Sequence, residues 1–123
     1  MMAKKIMIVD DDKEFAEEMK ELLTQGGYEA DIFRDGASAM EAVNKVQPDL
    51  ILLDLKMTGK NGFQVASELK YNPDAAHIPI IAMTGYYTQQ EHAVLIKVCG
   101  IKTCLIKPFQ PLDVISKIEE ILL

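Results

Sequence analysis

The sequence predicts an α/β domain in which a five-stranded parallel sheet carries helices on both faces. Short runs rich in Ile, Leu, Val and Met alternate five times with longer segments of helical periodicity. Four of these runs are almost continuously apolar, as strands buried on both faces of a parallel sheet are. No linker, repeat or low-complexity segment interrupts the alternation, so we expect residues 1–123 to form a single domain.

The strand candidates are the five short apolar runs. The second alternates apolar and polar side chains, which favours an edge strand, and the other four, including the fifth, are expected to be buried on both faces. Right-handed crossovers leave few topologies, and the one we predict is doubly wound with the strand order 2-1-3-4-5. The runs cover residues 5–10, 28–33, 50–54, 80–83 and 103–107.

The first two helices are predicted from apolar residues at helical spacing. In the first segment these residues stand at i, i+4, i+7 and i+8, and Gly26 and Gly27 mark the end of the helix. In the second segment, Pro48 prevents the helix from continuing. The positions expected to face the core are Phe15, Met19, Leu22 and Leu23, followed by Ala39, Met40, Val43 and Val46.

The last three helices are marked by their ends. The third follows Gly62 and covers about residues 63–71. The fourth covers about residues 88–98, and Gly100 closes it. The fifth has Pro111 in its first turn, where proline is favoured. Its inward positions are predicted to be Leu112, Ile115, Ile118 and Leu122.

Composition excludes several classes of protein. The net charge of −6 argues against direct contact with nucleic acid, which calls for a basic patch. The longest apolar runs are about four residues, too short for a membrane span or a signal peptide, so we expect no membrane insertion and a cytoplasmic location. Cys99 and Cys104 are too few for a disulfide framework and are expected to be buried or half-buried.

Charged and polar residues stand where the predicted strands end. Asp10 and Asp11 end the first strand and Asp54 ends the third, while Thr84 and Lys107 end the fourth and fifth. In the predicted strand order the first and third strands are neighbours, so their carboxylates meet. Three acids in one crevice require compensation, which one Mg²⁺ ion and Lys107 would supply, and Mg²⁺ prefers such oxygen ligands. An aspartate in that setting can act as a phosphoryl acceptor.

Four short motifs surround these residues: IVDD at Asp10 and Asp11, LLDLKM around Asp54, MTG at Thr84, and KPF at Lys107. Each is unspecific alone, but all four occur in order and with the expected spacing. On these motifs the sequence resembles the receiver domains of two-component response regulators over essentially its whole length. The resemblance implies the flavodoxin-like fold of chemotaxis receivers, in which the site lies where the strand order reverses.

The resemblance also implies a role for each acid. Asp54 would accept a phosphoryl group from a histidine kinase or a phosphotransfer protein, with Mg²⁺ as the cofactor. Asp11 would bind Mg²⁺ directly, and Asp10 would help through a water molecule or a hydrogen bond. The remaining protein ligands of Mg²⁺ would be Asp54 itself and the backbone carbonyl of Lys56.

The other two residues of the set are implied to transmit the signal. Lys107 would pair with the acids and later with the phosphoryl oxygens, and its peptide bond to Pro108 would be cis. The Thr84 hydroxyl would move toward the phosphoryl group and so bias the face formed by the fourth helix, fifth strand and fifth helix, where a downstream protein binds. Such a domain catalyses only its own phosphorylation and dephosphorylation, and is a monomer or a weak phosphorylation-dependent dimer.

The sequence departs from the family pattern at two positions. Thr58 follows Met57 where the family has proline, which predicts a less rigid loop. Cys104 replaces the usual Tyr or Phe three residues before the lysine, and a thiol cannot act as that aromatic switch. Tyr86 and Tyr87 are candidates for supplying the aromatic element instead.

Two further residues are expected from the resemblance to tune the lifetime of the acyl phosphate. They are Lys56, two residues after the phosphoacceptor, and Tyr86, two residues after the threonine.

Three alternatives compete with the receiver interpretation. A degenerate receiver would bind proteins without being phosphorylated, which Cys104 leaves open. A phosphatase with an aspartate nucleophile needs a second aspartate two residues after the first, and Lys56 stands there. A flavodoxin-like cofactor binder needs a Ser/Thr/Gly-rich loop after the first strand, where this chain has acids.

The acidic triplet predicts a division of roles that a structure can test. If Asp11 binds metal, the cap of the first helix falls to Asp12, and the capping box readable from Asp11 and Glu14 should be absent.

Overall fold

The computed structural model describes residues 3–57, 59–85, 88–101 and 103–123. In that part of the chain, strands and helices alternate as predicted, with bounds that differ from the predictions by a few residues. The strands are β1 (Lys5–Val9), β2 (Glu29–Phe33), β3 (Leu50–Asp54), β4 (Ile80–Thr84) and β5 (Thr103–Ile106). The helices are α1 (Lys13–Gln25), α2 (Gly36–Val46), α3 (Gly62–Tyr71), α4 (Gln89–Lys97) and α5 (Pro111–Leu122).

The strands form one parallel sheet with the order β2-β1-β3-β4-β5, which confirms the predicted fold class. The register pairs Val9 with Phe33 on one side and with Leu53 on the other, so β1 ends level with both neighbours. Because the chain reverses its direction of winding between β1 and β3, the crevice of the sheet opens at their carboxyl ends.

Alternate residues of each strand pack into two separate cores. Met7 and Val9 of β1 face the layer formed by α2, α3 and α4. Ile6 and Ile8 face the layer formed by α1 and α5. Both faces of the central strands are therefore covered, which is the physical reason why their sequences are continuously apolar.

Two expectations about burial are wrong. The fifth strand is not buried on both faces, because it lies last in the sheet, its first three residues are half-buried and Ile106 is 55% exposed. Leu112 does not face the core and is 75% exposed, whereas Val114 and Ile118 are the fully buried residues of α5. The sequence prediction includes Leu112 in the inward-facing positions of α5 because it is as hydrophobic as the others. The helix has more apolar positions than the sheet can cover.

The cap of α1 is Asp12, as predicted. Its carboxylate accepts a hydrogen bond from the backbone N–H of Phe15 at 3.2 Å. With the cap at Asp12, the third helical residue is Phe15, so the capping box of Asp11 and Glu14 is absent, also as predicted.

Candidate functional site

Three carboxylates meet at the carboxyl edge of the sheet. Oxygen atoms of Asp10, Asp11 and Asp54 all lie within 4.8 Å of one another. Asp10 is completely buried and Asp54 is 6% exposed, while Asp11 lies at the exposed mouth of the crevice. The strand order predicted this meeting, because β1 and β3 are neighbours and end at the same level.

Asp10 is fixed through both of its carboxylate oxygens. Oδ1 accepts a hydrogen bond from the backbone N–H of Asp12 at 2.9 Å, and Oδ2 accepts one from Nζ of Lys107 at 3.0 Å. The charge-assisted bond to Lys107 joins the ends of β1 and β5 across the sheet. A fully buried carboxylate is tolerated here because it has both a cation and a backbone donor.

Asp54 combines burial with unfavourable charge. Its Oδ1 accepts a hydrogen bond from the backbone N–H of Lys56 at 3.2 Å and lies 3.9 Å from Nζ of Lys107. Burial, together with the negative charge of Asp10, nevertheless raises the pKa of Asp54 from 3.8 to about 6. A cation bound beside Asp54 would lower this pKa, because it would favour the charged form of the carboxylate.

Gly62 allows the start of α3 to pack directly against Asp54. A Cβ atom at residue 62 would lie 2.4 Å from the backbone oxygen of Asp54 and 2.5 Å from Cα of Leu55. The backbone N–H of Gly62 donates to the carbonyl of Leu55 at 3.2 Å. The sequence indicates Gly62 only as a signal for the start of a helix, whereas the close approach that requires glycine depends on how α3 packs against β3.

Thr84 and Lys107 are joined through the backbone. Thr84 is completely buried at the end of β4, and its carbonyl accepts a hydrogen bond from the N–H of Lys107 at 2.6 Å. The peptide bond between Lys107 and Pro108 is cis, as predicted. The residue that reaches the acids and the residue expected to sense the phosphoryl group are thus direct neighbours.

Two residues that the sequence reasoning missed contact the lysines of the site. Nζ of Lys56 pairs with Oε2 of Glu91, in the first turn of α4, at 2.9 Å. Nζ of Lys107 lies 4.2 Å from the centroid of the Phe15 ring. The position of Phe15 in the first turn of α1 indicates that it lies near the acids, but its apolar spacing predicts only that it faces the core. No motif or spacing in the sequence indicates that Glu91 pairs with Lys56.

The departures from the family pattern are only partly visible. Thr58, Tyr86 and Tyr87 lie outside the described residues. Cys104 is half-buried, pairs with Ala82 of β4 and packs against the core beneath α2, α3 and α4, and Cys99 is buried. The prediction that both cysteines are buried or half-buried is confirmed. No helix in the described part of the chain is both long enough and apolar enough to cross a membrane.

Comparison with known proteins agrees with this geometry. The family model described as the response regulator receiver domain matches residues 6–119. A relative named DNA-binding response regulator MtrA, from Mycolicibacterium paratuberculosis, is 32% identical over 118 residues, which make up 96% of this chain and 51% of that protein. The chain therefore spans about half the length of the curated relatives that it matches.

Solved structures show the same architecture. The signal receiver domain of a signal transduction histidine kinase from Syntrophus aciditrophicus has a TM-score of 0.89 at 29% identity, covering 98% of this chain and 90% of that chain. Vibrio cholerae chemotaxis protein CheY4 has a TM-score of 0.91, covering 98% of this chain and 99% of that chain. Its identity of 24% means that this second likeness concerns the fold alone.

Proposed function

Because this chain belongs to the response regulator receiver domain family, we propose that it accepts a phosphoryl group on Asp54 from a histidine kinase or a phosphotransfer protein. The observation that supports the proposal is the group of three carboxylates bridged by Lys107, which lies 3.0 Å from Asp10 and 3.9 Å from Asp54. Asp10 is closer to the lysine but its side chain is completely buried, whereas part of the Asp54 side chain is exposed, so Asp54 is the acid that a phosphoryl donor can reach.

The donor set fits a Mg²⁺ ion. Asp10, Asp11 and Asp54 offer hard oxygen atoms close together, which are the ligands that Mg²⁺ prefers. In our proposal these three residues and the backbone carbonyl of Lys56 hold Mg²⁺, with Asp10 acting through its hydrogen bonds. When bound, Mg²⁺ would offset the negative charge of the acids and of a phosphoryl group.

The proposed transfer uses groups that the chain supplies. One carboxylate oxygen of Asp54 forms a bond to phosphorus, while the bond from phosphorus to the donor's imidazole nitrogen breaks and its electron pair remains on that nitrogen. The ammonium group of Lys107 stabilises the negative charge on the phosphoryl oxygens. The hydroxyl of Thr84 then donates a hydrogen bond to one of these oxygens.

The same contacts support a route for the signal. A movement of Thr84 or of the Lys107 side chain would displace the start of the segment that follows β5, because the two residues share a backbone hydrogen bond. We propose that this biases the face formed by α4, β5 and α5, which binds a downstream protein. This domain is proposed to make no direct contact with nucleic acid, although the MtrA relative is named as DNA-binding.

Intact mass spectrometry after incubation with Mg²⁺ and acetyl phosphate tests the proposal. The native chain should gain the mass of one phosphoryl group, and Asp54→Asn should gain none. Asp31→Asn is a matched control, because Asp31 is an exposed carboxylate on β2 and should leave the adduct unchanged. A native chain without an adduct, or an undiminished adduct in Asp54→Asn, would contradict the proposal. The first result would favour a phosphorylation-independent binding module instead.

A further inference from the structure

The ammonium group of Lys107 is held between a carboxylate and an aromatic ring. Nζ lies 3.0 Å from Oδ2 of Asp10 and 4.2 Å from the centroid of the Phe15 ring. An ammonium group within about 6 Å of a ring face is attracted to it, and more strongly where water is partly excluded. The Lys107 side chain is only 23% exposed, so water is partly excluded here.

The ring of Phe15 is itself held from two sides. Its backbone N–H donates to the Asp12 cap, which ties the residue to the first turn of α1. Its ring meets the ring of Phe109 edge-on, with 5.7 Å between centroids and 82° between planes. Phe109 follows Lys107 by two residues, so the loop after β5 supplies both the lysine and the ring that orients its aromatic partner.

A lysine side chain is long and flexible, and one ion pair leaves its position loosely defined. Asp10 draws the ammonium group toward the buried end of the crevice, and the ring of Phe15 restricts it from another direction without adding charge. Nζ consequently stays 3.9 Å from Asp54, near the place where a phosphoryl group would be attached. A carboxylate in place of the ring would compete with the phosphoryl oxygens for the ammonium group, whereas a neutral ring does not.

We infer that Phe15 is a positioning residue for phosphoryl transfer: its ring holds the Lys107 ammonium group beside Asp54. The inference depends on the proposed function of Asp54. It adds a residue that is not one of the proposed metal ligands and that acts through Lys107.

Substitutions at Phe15 separate this role from simple packing. Phe15→Leu removes the ring but keeps an apolar side chain, and should slow the phosphorylation of Asp54 by acetyl phosphate about fivefold, as expected for the loss of a partly exposed cation–π contact. Phe15→Trp restores a ring and should bring the rate back close to that of the native chain. Phe33→Leu is the matched control, because it removes a half-buried ring that packs against the core beneath α2, α3 and α4, and it should change the rate less than about twofold, a small part of a cation–π contact.

A second measurement does not need phosphorylation. NMR of the unphosphorylated chain should show the side-chain resonances of Lys107 shifted by the ring current of Phe15. That shift should be lost in Phe15→Leu and kept in Phe33→Leu. If Phe15→Leu does not fold, Phe15→Met allows the same comparison.

The outcomes distinguish the two proposals. A native chain that takes up no phosphate contradicts the proposed function, while the NMR shift still reports whether Phe15 holds Lys107. A native chain that is phosphorylated, with an unchanged rate in Phe15→Leu, an equal loss in Phe33→Leu, or no recovery in Phe15→Trp, overturns the positioning role. An unshifted Lys107 resonance in the native chain overturns it as well.

Discussion

Replacing Asp54 by asparagine should stabilise the metal-free protein at neutral and alkaline pH. The pKa of Asp54 is about 6 in the folded chain and 3.8 in the ordinary case. Between these values the folded chain binds more protons than the unfolded chain, so the free energy of unfolding falls as the pH rises through this window. Above about pH 6 the charged Asp54 destabilises the folded chain by its full amount. The difference between the two pKa values corresponds to about 3 kcal/mol in the free energy of unfolding. Asparagine has nearly the same shape and no charge, so it avoids this cost.

The assay is urea unfolding of both proteins in EDTA over a series of pH values. The free energy of unfolding of Asp54→Asn should exceed that of the native chain by about 3 kcal/mol at pH 8, by roughly half of that at pH 5 and by under about 1 kcal/mol at pH 4. Adding Mg²⁺ at pH 8 should stabilise the native chain more than the variant, because the variant has lost one of the three acids. Mg²⁺ should therefore reduce the difference in the free energy of unfolding between Asp54→Asn and the native chain.

The matched control is Asp31→Asn, which removes an exposed charge of the same sign from β2. It should change the free energy of unfolding by less than about 0.5 kcal/mol at every pH. A variant Asp54→Asn that is less stable than the native chain at pH 8, or whose advantage does not depend on pH, would refute the electrostatic reasoning.

Three further predictions concern the contacts around the site. Gly62→Ala should lower the free energy of unfolding by about 1–3 kcal/mol in urea unfolding, since its Cβ would overlap the backbone of β3, whereas Gly85→Ala, with open space around it, should be nearly neutral. Glu91→Gln should cost less than about 1 kcal/mol by the same measurement, because the ion pair with Lys56 is partly exposed, and a larger loss would contradict that assignment. Asp12→Ala should cost about 1 kcal/mol through the lost cap of α1, and equal stability of native chain and variant would refute it.

The sequence predicted the sheet and the acids of the candidate site for local reasons. Continuous apolar runs require burial on both faces, glycine and proline mark the helix ends, and residues that end parallel strands share one edge. Even the cap at Asp12 could be predicted, because an oxygen that binds metal is a poor helix cap. The same local reasoning failed for Leu112, since hydrophobicity alone does not say which apolar positions a helix buries.

The alternation of strands and helices, the doubly wound order and the place where Asp10, Asp11 and Asp54 meet could all be predicted from the amino-acid sequence. What surrounds these acids depends on the packing of the fold: the Phe15 ring beside Lys107, the pairing of Lys56 with Glu91, and the contact of Gly62 with the backbone of β3. Side chains on separate elements come together in three dimensions, as Lys56 and Glu91 do across 35 positions. Such contacts depend on how whole elements pack, and no periodicity or spacing in the chain records them.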